Sequence, residues 1–499
     1  MKMNDLIAKI NKNATNLVAS KWYYWFLALI SFVFVLLFSR ATSPLYAYVG
    51  YDAAIFKQMG MAILKGKTIY LDYFDNKGCL LYFLHALCLW LGGDFVILIF
   101  QAISLTISLI ILDKIISLYK EGASRVYVLL AGLVLLLCFY EGGDLSEEWS
   151  LPFICYPLYR FLKSYKEDKS LNAKDLYFIG LCFGVIAFLR INNAVPFCGF
   201  LLCLFIGYLW KKQWKEFIIN ALLFLGGVLT IAIPCFLYFY LKAGEKGIYW
   251  MIYGTFLSGF DYLGINVRIS AISGICYCVI LLMFFVLQLL SRKSQKNIWL
   301  PMVLSYLLFL LTFGTKCFSH YLEVMIPIFL IIISTSQTRF VIVKKVMFSL
   351  VVLTALVFLV RPLGFLVWEV LDKDKYSKIY SDFHTIVEKI PEIERDSICN
   401  YNTDGFGCGL LLHEGLIQSN KVFYSALSFW LEGLKDDKLS LEEEKPLWVM
   451  IVHGRNTHSD LMYLMENYDE LYVLHYDNVH INANFNFHVE KDIYFLRRK

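Results

Sequence analysis

Long apolar runs alternate with short polar loops from about residue 24 to about residue 361 of this 499-residue chain. Runs approaching the length needed to cross about 30 Å of hydrocarbon fall at 24–40, 95–112, 125–140, 151–163, 175–190, 193–210, 216–241, 268–290, 298–313, 319–335 and 341–361, which predicts about eleven spans. A further run, "CLLYFLHALCLWL" at 79–91, is only thirteen residues long. Counting it as a crossing breaks the parity between a cytoplasmic start and an external end. Either it dips into the bilayer without crossing, or "DKIISLYKEGASR" lies outside. Between the first two spans, "AAIFKQMGMAILKG" has apolar residues at helical spacing, Lys57 and Gln58 on the other face and Gly66 as a stop. This predicts a helix along the membrane surface, with Lys57, Lys65 and Lys67 snorkelling to water.

The pattern changes near residue 372. "DSICNYN", "KVFYSAL", "LWVMIVHG", "ELYVLHYD" and "DIYFLRRK" are short or period-2 apolar runs set among helix-like polar segments. They predict a small α/β domain over 372–499 after a multi-span region over 1–371, and a segment of this size can bury its own core.

Composition agrees: 59% hydrophobic, 17% aromatic, 17% charged, with a mean hydropathy of +0.59, outside soluble-globular usage. The net charge of +5 resides in loops rather than along one face, which gives no support for nucleic-acid binding. Lys2, Lys9, Lys12 and Lys21 precede the first span, so the positive-inside rule predicts a multi-pass cell-membrane protein, amino terminus cytoplasmic and carboxy-terminal domain extracytoplasmic. The first run lacks a following small-residue cleavage site and reads as a retained helix. The thirteen cysteines lie mostly inside apolar runs without CxxC or zinc spacing, so neither a metal cluster nor a disulfide framework is expected.

The chemistry-capable residues gather in the loops expected outside, 41–78, 141–150, 242–267 and 314–320. The first carries Asp52, Asp72, Asp75 and Lys77. The second, "YEGGDLSEEWSLP", carries Glu141, Asp144, Glu147 and Glu148. "GTKCFSHYLEVMIP" offers Lys316, His320, Tyr321 and Glu323, and Arg190 followed by Asn192 and Asn193 interrupts an apolar run where it can face a cavity. Converging carboxylates shift one another's protonation or attract a cation, and a hard divalent ion suits such a set although the spacing defines no site. The plainer reading makes Asp144 a solvated loop residue, Glu141 and Glu323 helix ends, and His413, His453 and His458 surface residues.

An aspartate early in the first external loop, an interfacial helix and then "DYFDNKG" running into an apolar helix resemble the opening of GT-C-fold glycosyltransferases, bacterial relatives of protein O-mannosyltransferase and aminoarabinose transferase. "SEEWSLPF", "FLRINNAVP" and "HYLEVMIP" are similar to segments at corresponding places. The resemblance implies a polyprenyl-phosphate sugar donor, an envelope glycan, lipid or protein as acceptor, and reaction on the outer face. Asp52 matches the general base, Lys77 a basic residue near the lipid phosphate, and Glu147 and Glu148 acidic positions that orient the acceptor or assist the base. The chain departs in having "KGCL" where a proline is usual and alanine after Asp52.

Physical chemistry reaches a compatible requirement: a phosphate leaving group needs positive charge, which Lys77, Arg190 or Lys316 supply, and the attacking hydroxyl needs a carboxylate in hydrogen-bond reach. A flippase for lipid-linked sugars and a non-catalytic envelope scaffold are the alternatives. The first would place its charges near the bilayer midplane, and the second would tolerate loss of Asp52 and Lys77.

Overall fold

The computed structural model describes residues 3–47, 51–258, 296–313, 318–335, 373–401, 404–421, 445–452, 458–482 and 485–499, with isolated positions between 349 and 371. The expected span at 268–290, most of that at 341–361, "KVFYSAL" beyond Lys421, Lys316, His453 and the side chain of His458 lie outside the described residues.

Helices α1 (Met3–Ala19) and α2 (Tyr23–Phe38) meet at 104°. α1 is amphipathic while α2 is apolar all round, so the sharp bend lays one along a surface and lets the other enter the bundle. After α3 (Tyr51–Leu64) and α4 (Cys79–Leu91) come α5 (Asp94–Ser117), α6 (Gly122–Phe139), α7 (Ser146–Glu167), α8 (Ala173–Arg190), α9 (Val195–Trp210) and α10 (Trp214–Ile252). Beyond them stand α11 (Lys296–Phe313) and α12 (Ile326–Thr335), the latter entered through a 3-10 turn at Ser319–Met325. Among the described residues, Asp94–Ser117, Gly122–Phe139, Ala173–Trp210 and Trp214–Leu257 are long and apolar enough to cross a membrane.

Two polar clusters identify the opposite ends of this bundle. At one end, Tyr23 Oη donates to Asp113 Oδ1 at 2.9 Å and Arg125 pairs with the same carboxylate, while Lys166 donates to the carbonyl of Leu118. At the other, Ser39 and Thr42 donate to Gln101 Oε1 at 3.2 and 2.7 Å. α4 belongs wholly to the second end: Gly78 N donates to Leu189 O at 2.8 Å, His85 reaches Asp144, and Asp94, just past its last turn, pairs with Lys57 at 2.6 Å. Both ends of the 79–91 run therefore lie at the same end of the bundle, and the 113–125 loop lies at the end opposite α3.

The bundle closes by backbone approach. α8 and α10 touch where Gly180 meets the carbonyl of Phe224 and Gly227 that of Tyr177, with no space for a Cβ at either glycine. α10 runs past its expected end at residue 241 and breaks at Ala243 (φ −150°, ψ 20°) and Gly244 (φ 58°, ψ −143°).

The carboxy-terminal region holds α13 (Lys373–Lys389), β1 (Ile398–Tyr401), α14 (Asp404–His413), β2 (Trp448–Val452), α15 (His458–Asn467), β3 (Tyr468–Asn482) and β4 (Phe485–Arg498). Sheet order is β1-β2-β4-β3: β1 lies parallel to β2 with Ile398 opposite Trp448, and β4 is antiparallel to both neighbours. α13 covers the sheet through Phe383, fully buried 5.7 Å from the ring of Phe495.

This region sits directly on α3. Gln58 Nε2 donates to Cys408 O at 3.2 Å and Leu416 O at 3.0 Å, Tyr73 Oη donates to Gln418 O at 2.7 Å, and Phe74 N donates to Lys421 O at 2.8 Å. The expectation for α3 is corrected accordingly. Lys57 and Gln58 are 2% and 0% exposed rather than facing water, because the carbonyls of Cys408 and Leu416 cover Gln58 while Ala41 and Asp94 enclose Lys57. Lys57 does not snorkel; its ammonium donates to Ala41 O at 2.6 Å and pairs with Asp94. A buried ammonium needs such partners.

Candidate active site

α8 ends where Arg190 leaves helical geometry (φ −167°, ψ 107°), and a 3-10 turn over Ile191–Ala194 leads into α9. The guanidinium pairs with Glu147 and lies over the ring of Tyr321, 4.3 Å from its centroid. Glu147 belongs to the first turn of α7, is 1% exposed and accepts from Ser146 Oγ at 2.8 Å. A carboxylate this deeply desolvated is tolerated only with a cation and further donors in place.

Its neighbour Glu148 points elsewhere, as successive helical residues must. Glu148 Oε2 accepts from the Asp144 amide at 2.9 Å and from Gln101 Nε2 at 3.2 Å, while Oε1 is buried without a hydrogen bond. The adjacent glutamates thus serve different neighbourhoods, and only Glu147 meets Arg190.

His320 approaches from the 3-10 turn before α12. Its Nδ1 lies 2.6 Å from Glu141 Oε2, and its ring meets Tyr321 edge-on at 4.5 Å. Burial alone would pull the His320 pKa down, but the charge and hydrogen bond of Glu141, with help from Glu147 and Asp52, hold it above the ordinary histidine value. The charges of Arg190 and Lys77 both bear on the Tyr321 hydroxyl. Asp52, half-buried in the first turn of α3, bears electrostatically on both Arg190 and His320. A helix amino-terminal turn favours a carboxylate.

Lys77 reaches the same place on a pinned loop. Tyr70 Oη donates to Lys77 O at 2.6 Å, Lys77 N donates to Tyr82 Oη at 3.1 Å, and the ammonium donates to Asn76 Oδ1 at 2.8 Å, 5.9 Å from the centre of the Phe56 ring. Gly78 then crosses so close to Phe188 that an added Cβ would collide with its carbonyl. This contact ties the Lys77 loop to the end of α8, immediately before Arg190.

Other expected site residues occupy other stations. Asp72 is exposed and closes a local turn, accepting from Thr68 N at 2.6 Å. Asp75, 1% exposed, accepts from Tyr82 Oη at 2.8 Å. Asn193 is buried, donates to Ser150 Oγ at 3.1 Å and keeps Oδ1 without a hydrogen bond, whereas Asn192 is half-buried in the turn.

Two residues read as ordinary prove otherwise. Asp144 is not solvated but 0% exposed: Gly142 and Gly143 at φ 99° and 81°, followed by Asp144 itself at φ 65°, fold its carboxylate inward. There it meets His85 Nε2 at 3.0 Å and accepts from Trp149 Nε1 at 3.0 Å. Glu323 is 0% exposed with no hydrogen bond to either oxygen, and Glu148, Glu147 and Glu141 bear on it electrostatically. Its signal in sequence was a carboxylate four residues into the apolar run at 319–335. Among the described residues no group of three or more His, Cys, Asp or Glu side chains is arranged to hold a metal ion.

Arg190, Lys77 and His320 thus gather around Tyr321, with the carboxylate of Asp52 nearby. Such a set can bind a phosphate and accept a proton from a hydroxyl.

No protein-family model matches the sequence, and no curated protein matches it. Among solved structures, ArnT from Cupriavidus metallidurans, crystallised bound to undecaprenyl phosphate, aligns over 95% of this chain and 98% of its own, with a TM-score of 0.57 and 12% identity. The chain shares that protein's fold: a polytopic helical membrane protein of GT-C type with a small carboxy-terminal α/β region.

Proposed function

We propose that this protein transfers a sugar from a polyprenyl-phosphate donor to a cell-envelope acceptor at the outer face of the cell membrane, with Asp52 as general base. The observation that carries the reading is the convergence of Arg190, Lys77, His320 and Tyr321 beside Asp52 at the end of the bundle that bears the carboxy-terminal region. The shared fold with a structure bound to undecaprenyl phosphate supports it.

In this mechanism the donor phosphate takes charge-assisted hydrogen bonds from Lys77 and Arg190 and a hydrogen bond from Tyr321. An acceptor hydroxyl oxygen attacks the anomeric carbon while the bond from that carbon to the phosphate oxygen breaks. The electron pair leaves with the phosphate, and the hydroxyl proton passes to the Asp52 carboxylate. Charge developing on the leaving oxygen is stabilised by groups already fixed in place, the most effective form of electrostatic assistance. Glu147 keeps Arg190 oriented, and Glu141 fixes the His320 ring through Nδ1.

The test uses membranes containing the full chain and radiolabelled polyprenyl-phosphate sugar. Transfer of label by wild type and its loss in Asp52→Asn support the reading; equal labelling by both overturns the role of Asp52.

A further inference from the structure

A cavity of about 850 Å³ opens between the bundle and α13–α14, lined by none of the residues assigned above to the donor phosphate or the base. Its size lies within the roughly 300–1,000 Å³ of small-ligand sites. Ser377, Ser381 and His384 are exposed positions along one side of α13 and form one wall together with Tyr380, whose ring stacks on His413 at 4.7 Å. Tyr46 and Thr42 line the part nearest α2. Aromatic faces alternating with hydroxyls match the apolar faces and hydroxyl edges of a saccharide.

Arg40 brings the cavity close to the proposed site. Arg40 lines it, and its Cδ lies 3.5 Å from where a Cβ on Gly142 would stand, next to the Glu141 that holds His320. Lys57, on the same helix as Asp52, forms part of the lining with its ammonium fixed by Ala41 O and Asp94. Phe95 in the lining is 68% exposed, an apolar border suited to a lipid chain.

We propose, resting on the transferase reading, that this cavity is the acceptor site and that α13 recognises the acceptor as a saccharide, delivered free or on a lipid tether. The acceptor hydroxyl would enter past Arg40 toward Asp52, while the donor phosphate is held by Arg190 and Lys77.

The experiment uses membranes carrying the full chain and radiolabelled polyprenyl-phosphate sugar. It reads label incorporated into endogenous acceptor and label released as free sugar by water. Solvent extraction divides the incorporated label into lipid-soluble and water-soluble fractions, which separates a tethered saccharide from a free one. Ser381→Trp, which fills the cavity from an exposed position, should lower the ratio of incorporated to released sugar about tenfold or more. Asp382→Trp, exposed on the same helix but away from the lining, should leave that ratio at the wild-type value. An unchanged ratio in Ser381→Trp, or equal loss in both variants, would overturn the proposal. Wild-type membranes that neither incorporate nor release sugar would overturn the transferase reading itself and this inference with it.

Discussion

Arg190, the last residue of α8, forms an ion pair with Glu147 in the first turn of α7, and the pair links two helix ends across the proposed site. Because Glu147 is 1% exposed, removing its partner strands a buried charge. Arg190→Ala should lower stability by about 3–5 kcal/mol and abolish transfer. In Glu147→Gln/Arg190→Ala the carboxylate is gone too, so part of the stability should return while transfer stays lost. Denaturant melts of the purified protein and the labelled-donor assay separate the two effects.

Asp52 is only half-buried, so Asp52→Asn should fold normally. General-base assistance contributes about 10²–10⁴-fold, and transfer should fall by that order with donor binding retained. Retention of a photoactivatable polyprenyl phosphate by the inactive variant checks the second part.

The His320–Glu141 pair predicts a specific pH response. The folded-state pKa of His320 is raised above its ordinary value of 6.5. Its contribution to stability is therefore complete below pH 6.5 and is lost as pH rises through the raised folded-state value. Melting temperature should decline over that window in wild type, with a smaller decline in His320→Gln. An identical decline in both would assign the effect to another group.

Gly78→Ala adds one methyl where the Phe188 carbonyl leaves no space. The Lys77 loop must move away from α8, at a cost of about 1–3 kcal/mol, and transfer should drop although no charged group has changed. Gly66→Ala, at φ 80° with open space around it, bears strain without a clash; it should lose some stability but retain transfer.

Helices such as Asp94–Ser117 and Gly122–Phe139 were legible because a helix that meets hydrocarbon must be apolar along its whole length. α4 was ambiguous because thirteen apolar residues suit either a dip or a buried helix. The strands of "LWVMIVHG" and "ELYVLHYD" were legible from apolar runs as short as strands. Arg190 could be singled out because it breaks an apolar run, but its partner lies 43 residues away and no local pattern pairs them. Lys57 resembled a snorkelling residue since spacing cannot reveal Asp94 on the far side of α4. Asp144 looked solvated because its burial depends on left-handed turns at Gly142 and Gly143, a tertiary fact written in two glycines.

Docking of the carboxy-terminal region on α3 makes that helix a clamped part. Gln58, Tyr73 and Phe74 all find hydrogen-bond partners beyond residue 400. A chain ending at residue 372 would leave those groups bare and loosen the scaffold beneath Asp52. The two ends of the polypeptide are thus mechanically interdependent, and grafting a foreign carboxy-terminal domain would require rebuilding the α3 surface along with it.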